Sequence, residues 1–189
     1  MRTAALVLML ILPAVAVAYH YGPGQKMLAL DDAAIHVQRA EAAVKGERFA
    51  KAIEAYDAAL SRIPADRGDL SRPIRLEKAK ARMSHKQLPE AYDDLLALKD
   101  EIDSATVTTT EAFKTDVRQT IANAQYYMTW LMRLEGEPRE QWEPDIEASR
   151  QNYKLLADAA RAAGNDKDAE RLEGDLEAAI RLARMDLSE

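Results

Sequence analysis

The stretch Phe49-Ala50-Lys51-Ala52-Ile53-Glu54-Ala55-Tyr56 decides the fold of the chain around it. Its large apolar side chains recur at intervals of three to four residues, which is the period of an amphipathic α-helix. The pattern predicts a helix over residues 48–62. Pro64 follows shortly after and is expected to prevent the helix from continuing, because proline has no backbone N–H to donate.

A second helix is predicted just before this one, so that the two form a hairpin. Asp31 or Asp32 is expected to cap its start, because a short carboxylate side chain can accept from the free N–H groups of the first turn. The helix is expected to end at Lys45. Gly46 would then be the left-handed residue that follows the helix end.

Small residues are spaced through this hairpin in a fixed pattern. A small residue in the first helix is followed twelve positions later by another, then by an aromatic, a third small residue and a proline, which are Ala40, Ala52, Tyr56, Ala59 and Pro64. This pattern resembles the tetratricopeptide repeat (TPR), although Gly46 lies one position before the usual turn glycine of that family. The resemblance implies closely packed helix hairpins stacked as a right-handed solenoid.

A weaker copy of the pattern lies 39 residues further on, where leucines replace the aromatic and the third small residue. Its positions are Ala79, Ala91, Leu95 and Leu98. The predicted helices of this second hairpin are Ser71–Lys86 and Leu88–Ile102, with Ser71 as cap and Pro73 in the first turn.

A longer third hairpin is predicted in the C-terminal half. Thr108 and Glu111 have the spacing of a capping box and would open a helix that runs to Leu134, with Gly136 after its end.

The next helical segment is expected to begin at Pro138 and to run to Ala163, before Gly164. Pro144 should kink it or start it afresh near Glu143.

A last helix would be opened by Asn165 and Asp168, with a wet outer face suited to capping a solenoid. The sequence thus predicts an all-α fold of antiparallel hairpins, a short TPR-like right-handed solenoid with a C-terminal capping helix. The expected segments are an N-terminal signal or anchor at 1–18, a linker at 19–30, two TPR-like hairpins at 31–104, and a longer hairpin with the capping helix at 108–189.

The N-terminal segment is apolar over residues 4–18 and has the features of an export signal. Arg2 precedes the apolar run, and small residues at alternate positions permit cleavage after Ala18. The alternative is an uncleaved anchor over residues 4–21, just long enough to span a bilayer. Both interpretations place the body of the protein outside the cytoplasm, in the periplasm or another extracytoplasmic space.

The composition argues against several functional classes. The net charge of −6 offers no electrostatic attraction to nucleic acid, and the absence of cysteine excludes thiolate chemistry and disulfides. The three histidines have no partners at ligand spacing, and no nucleophile–base pattern or phosphate loop is present. We therefore expect no enzyme activity, no metal and no cofactor.

An aromatic cluster lies in the third hairpin. Tyr126, Trp130 and Arg133 share one helix face, with Trp142 across the following loop. One interpretation is a hot spot for a protein or peptide partner. The other is a core that joins the second and third hairpins, with Trp142 packed against Trp130.

The TPR resemblance implies a binding surface on the first helix of each hairpin. By that register it includes Glu41, Lys45 and Lys80, while the Lys and Asn residues with which some members hold a peptide C-terminus are absent. The expected function is a non-enzymatic protein–protein interaction scaffold that contacts membrane only through its N-terminal segment. The alternative is a self-associating structural subunit of an envelope complex, paired through the apolar stripe of the last helix.

Overall fold

The computed structural model of the protein describes residues 23–104 and 108–185, and all regular structure in these two ranges is α-helical. The all-α prediction is therefore confirmed. Seven helices follow one another in the described ranges: α1 (Pro23–Lys45), α2 (Phe49–Leu60), α3 (Gly68–Ser84), α4 (Leu88–Asp103), α5 (Glu111–Leu134), α6 (Arg139–Ala162) and α7 (Asp166–Arg184).

The described residues divide into two compact units, one up to Ile74 and the other from Arg75 onward. In the first unit, helices α1 and α2 pack against each other. Ala40, Ala52 and Ala59 are fully buried there, and the Tyr56 ring is buried with them. A methyl group is all that fits where two helix backbones approach closely, which explains why the sequence has small residues at these positions.

Helix α1 begins at Pro23 and not at Asp31, so the predicted cap at Asp31 or Asp32 is wrong. Both aspartates are exposed within the helix, and part of the predicted linker is helical. The preceding stretch, residues 25–30, is composed of good helix formers. Proline at the first helical position costs no hydrogen bond, so Pro23 can open the helix.

Two other helix starts also differ from the sequence prediction. Helix α3 begins at Gly68 rather than Ser71. Helix α5 is capped by Thr110, whose hydroxyl accepts from the Phe113 N–H at 3.2 Å, and not by Thr108. A capping threonine must lie directly before the first helical residue, and Thr110 holds that position.

Two prolines lie at the sixth position of their helices without ending them. Pro73 lies inside α3, and Pro144 lies inside α6, which is one continuous helix and does not start afresh near Glu143. Each proline deprives one carbonyl, that of Asp69 or Glu140, of its helical donor. Both of these residues are exposed near the helix start, where water can replace the missing donor.

Four helices end in the same way, with one left-handed residue after the last turn. The residue that follows it donates its N–H to the carbonyl five positions back, at 2.9 to 3.0 Å, which is the Schellman arrangement. Glycine holds the left-handed position at Gly136, as predicted, and at Gly164, whereas Glu47 and Lys86 hold it at the two earlier turns. The prediction that Gly46 would be left-handed is wrong by one position.

The second unit contains two hydrophobic clusters, and α5 contributes to both. The first cluster joins α3, α4 and α5 and includes Leu76, Leu95, Leu98, Val117 and Ile121. The second joins α5, α6 and α7 and includes Ala122, Trp142, Ile146, Leu156, Leu172 and Leu182. Helix α5 therefore belongs to both clusters and connects them.

A chain of polar side chains links α4, α5 and α6. The Tyr92 hydroxyl donates to Asp145 at 2.9 Å, and the Gln125 amide donates to the Tyr92 hydroxyl at 3.2 Å. The Asn152 amide in turn donates to the side-chain oxygen Oε1 of Gln125 at 3.1 Å. Burial raises the pKa of the Asp145 carboxyl, and it raises the pKa of Tyr92 to about 12. Such a network fixes how the three helices align, because a shift of one turn would leave buried polar groups unpaired.

None of the helices in the described ranges is both long enough and apolar enough to span a membrane. The predicted signal or anchor, residues 1–18 or 4–21, lies outside these ranges.

Candidate partner-binding groove

Helix α5 has a third face that neither hydrophobic cluster covers. Tyr127, Trp130, Leu131 and Leu134 lie on it, at the spacing of one helical stripe, and their exposed fractions run from 37% to 58%. Four large apolar side chains exposed side by side differ from the isolated exposed leucine that most protein surfaces carry. We call these four residues the α5 stripe.

The α5 stripe forms one wall of a groove of about 1100 Å³. The end of α3, the turn after it and the first residue of α4 form the other wall. The residues that line the groove are Lys80, Met83, Ser84, Lys86, Leu88, Asp116, Gln119, Thr120, Asn123, Tyr126, Tyr127, Trp130, Leu131 and Leu134. Polar residues line the half near the start of α5, and apolar residues line the half near its end.

The groove is open because α5 is longer than the hairpin beside it. The hydrogen bond between Gln125 and Tyr92 places these two residues at about the same position along the neighbouring helices α5 and α4. Helix α4 begins only four residues before Tyr92, whereas nine residues of α5 follow Gln125. Because α4 and α5 are antiparallel, α5 runs about five residues, or roughly 7 Å, past the end of the α3–α4 hairpin.

Two lysines of the groove differ in their surroundings. The Lys80 ammonium lies 2.9 Å from carboxylates of both Glu77 and Asp116. Burial lowers its pKa, but the two hydrogen bonds outweigh burial, so the pKa of Lys80 is raised and its positive charge is already compensated. Within the part of the chain that the structure describes, Lys86 has no carboxylate at ion-pair distance and is exposed.

The structure brings three of the six candidate residues together. Lys80, Tyr126 and Trp130 all line the groove, and the Tyr126 ring meets the Tyr127 ring edge-on at 5.3 Å. Tyr126 also packs against the second cluster. Trp142 is buried in that cluster, whereas Trp130 is 39% exposed in the groove. The core interpretation therefore fits Trp142 and part of Tyr126, but Trp130 is not among the residues that pack with Trp142 in that cluster.

Arg133, another of the candidate residues, makes its contacts within the chain and does not line the groove. Its guanidinium donates to the carbonyls of Leu182 and Met185 at the end of α7 and lies over the Trp142 ring. Glu41 and Lys45 are exposed on α1, in the other unit, and do not belong to the groove.

Sequence reasoning missed most of the apolar groove residues. Tyr127, Leu131 and Leu134, together with Trp130, repeat at helical spacing on a face distinct from the core stripe of Val117 and Ile121. A helix with two apolar stripes was thus visible in the sequence. Which stripe stays exposed depends on the length of a neighbouring hairpin, and that is not a local property.

The groove offers apolar contact and hydrogen bonding to an occupant. The described residues include no group of three or more histidine, aspartate and glutamate side chains placed to hold a metal ion. Comparison of the chain with protein-family models gives no match, and comparisons with curated proteins and with solved structures give none either.

Proposed function

We propose that this protein is a non-enzymatic scaffold, exported or membrane-tethered, that holds a segment of a partner protein in the groove along α5. The observation that carries the proposal is the α5 stripe, with its exposed tryptophan and tyrosine beside two leucines. Aromatic residues in a concave site supply much of the binding energy in protein interfaces. Full burial of a large apolar side chain contributes about 1.5–3 kcal/mol, and covering the exposed half of each stripe residue contributes roughly half of that.

We further propose that the hairpins form a short, right-handed TPR-like solenoid with α7 as the capping helix. The burial of the marker residues supports this proposal, because Ala79, Ala91, Leu95 and Leu98 are as fully buried in the second hairpin as their counterparts are in the first. The left-handed turn residues Glu47 and Lys86 repeat at the same spacing of 39 residues.

A comparison of variants purified from membranes of the source cell tests the binding function. Trp130→Ala removes an aromatic side chain from the α5 stripe, and Leu134→Glu places a negative charge on it. Leu155→Glu, on α6, is a matched control because Leu155 is 56% exposed and does not line the groove. We expect a discrete set of proteins to co-purify with the wild type and with Leu155→Glu, and to be lost with both groove variants. Co-purification that is the same for all four proteins would contradict the proposal.

The location needs its own test, which is fractionation of the source cell followed by N-terminal sequencing. Cleavage after Ala18 predicts a mature protein that begins at Tyr19. An anchor predicts an intact N-terminus in the membrane fraction. Recovery of the intact protein in the cytosol would contradict both.

Self-association through the last helix is not favoured by the packing. Leu172 of the α7 stripe is buried in the second cluster, and Leu176 and Ala183 pack against that cluster. Leu172, Leu176 and Ala183 are therefore already packed within the chain, which leaves them little surface with which to pair two copies.

A further inference from the structure

The groove has walls that restrict what its occupant can be. Both walls are helical, so most of their backbone N–H and C=O groups are bonded within their own helices. An extended peptide laid on the α5 stripe would leave its own backbone groups unpaired against apolar side chains, which is costly. A helix satisfies its backbone internally and presents only side chains.

The spacing of the α5 stripe fits a helical occupant. Tyr127, Trp130, Leu131 and Leu134 cover two turns, about 10 Å along the axis. A partner helix with apolar residues at the same spacing could pack its row of side chains into the gaps between the side chains of the α5 stripe. Helices in parallel or antiparallel pairs pack in this way. The hairpin beside α5 ends before the stripe does, so the space for such a helix is present.

The charge of Lys86 restricts which side chains the partner helix can carry on one flank. Lys86 lines the groove on the side of the α3–α4 turn, is exposed, and in the described ranges has no carboxylate within ion-pair distance. A helix lying on the stripe would cover this ammonium in part, and covering a charge without a partner is unfavourable. Lys80 does not need a carboxylate from the partner, because Glu77 and Asp116 already compensate its charge.

We propose that the occupant of the groove is an amphipathic helix of a partner protein, with an acidic side chain on the one flank that faces Lys86. This inference rests on the proposed function, and it names the chemistry of the partner: an apolar stripe of two or more turns bordered on one side by aspartate or glutamate.

A helical peptide library displayed on yeast tests the proposal with the full-length protein as the target. The peptides have about 16 residues, or roughly four turns, with a fixed apolar stripe and randomised positions on both flanks. We expect the enriched peptides to carry acidic residues on one flank only. Leu134→Glu should weaken their binding about tenfold or more, whereas the control Leu155→Glu should leave it unchanged.

Lys86→Gly is the decisive variant because it removes the ammonium at a left-handed position, where glycine is the preferred residue. We expect it to fold at least as stably as the wild type and to weaken acid-flanked peptides by about two- to fivefold. In a selection on Lys86→Glu, the flank preference should become basic.

Two results would overturn this inference. The assignment of the partner fails if groove-dependent peptides carry no acidic flank, or if acid-flanked peptides bind Lys86→Gly as tightly as the wild type. The scaffold function would still stand. If no enriched peptide is sensitive to Leu134→Glu, the groove does not bind helices and the proposed function loses its support as well.

Discussion

The guanidinium of Arg133 lies over the ring of Trp142, with its central carbon 4.7 Å from the ring centroid, across the turn that joins α5 to α6. The same guanidinium donates to the Leu182 and Met185 carbonyls at the end of α7. One cation thus holds three helices together and satisfies carbonyls that a helix end leaves without donors.

Arg133→Ala is therefore expected to destabilise the second unit. The free energy of unfolding should fall by about 2 kcal/mol, because hydrogen bonds from a charged group contribute about 1.5–3 kcal/mol and a cation–π contact about 0.5–1. Urea denaturation measures the change. The control is Arg139→Ala, since Arg139 also faces the Trp142 ring but at 5.9 Å, and it should have a smaller effect. Equal losses for the two variants would contradict the role given to Arg133.

The left-handed turn residues give a paired stability test. The left-handed conformation destabilises a residue that has a Cβ by about 1–2 kcal/mol. Substitution by glycine removes this strain, but part of the gain is lost because glycine gives the unfolded chain more conformational freedom. Glu47→Gly should therefore raise the free energy of unfolding by about 0.5–1 kcal/mol. Gly136→Ala should lower it by about 1 kcal/mol for the same reason, since Gly136 has a φ of 76°. Thermal denaturation of both variants checks the signs, and a stabilising Gly136→Ala would contradict the turn geometry.

The fully buried alanines of the first hairpin test how closely its helices pack. Ala52 is fully buried on α2, and Ala50, two positions earlier in the same helix, is exposed. Ala52→Leu should cost about 1–3 kcal/mol through overpacking. Ala50→Leu changes helix propensity equally and should be near neutral. If chemical denaturation gives the two variants the same stability, close approach of the two helices is disproved.

The Asp145 carboxyl provides a pH test. Because burial raises its pKa in the folded state, the folded protein holds this proton more tightly than the unfolded chain. The stability that Asp145 contributes is complete below the unfolded pKa near 3.8 and is lost as the pH rises through the folded value. Asp145→Asn keeps an oxygen that accepts from Tyr92 and removes the charge, so it should reduce this decline without lowering stability at pH 7.

Asp145→Ala is the contrasting variant, because it removes the acceptor as well as the charge. It should lower the free energy of unfolding at pH 7 by about 1 kcal/mol, since the Tyr92 hydroxyl loses its partner. Denaturation at several pH values between about 4 and 7 measures both effects. A stability that rises more steeply with pH in wild type than in Asp145→Asn would reverse the sign argued here.

Local patterns in the sequence were enough to predict the helices and the closely packed alanines. Ala40, Ala52 and Tyr56 could be placed because helical spacing and residue size alone bring them to one buried face. Helix starts were harder to predict. Pro73 was expected in the first turn of a helix capped by Ser71, and Pro144 was expected to kink the next helix or start it afresh, but a proline near an exposed first turn costs little and both helices begin five residues before their proline.

The groove could be predicted only in part. Trp130 and Tyr126 stood out as aromatics in a chain that has few, but Leu131, Leu134 and Lys86 did not. The exposure of Leu131 and Leu134 follows from the different lengths of α4 and α5, which no local pattern in the sequence encodes. The contacts of Arg133 could not be predicted because its partners, the carbonyls at the end of α7, lie about fifty residues away in the chain.

The measurement that tests the central claim most directly is photo-crosslinking in the source cell from a single position in the groove. A photoreactive phenylalanine analogue replaces Leu131 in one strain and Leu155 in another, both of them exposed leucines of the second unit. We predict a discrete crosslinked adduct with another protein from position 131 and none from position 155. Adducts that are the same at both positions, or only adducts between copies of this chain, would contradict the account of the groove as a partner-binding site.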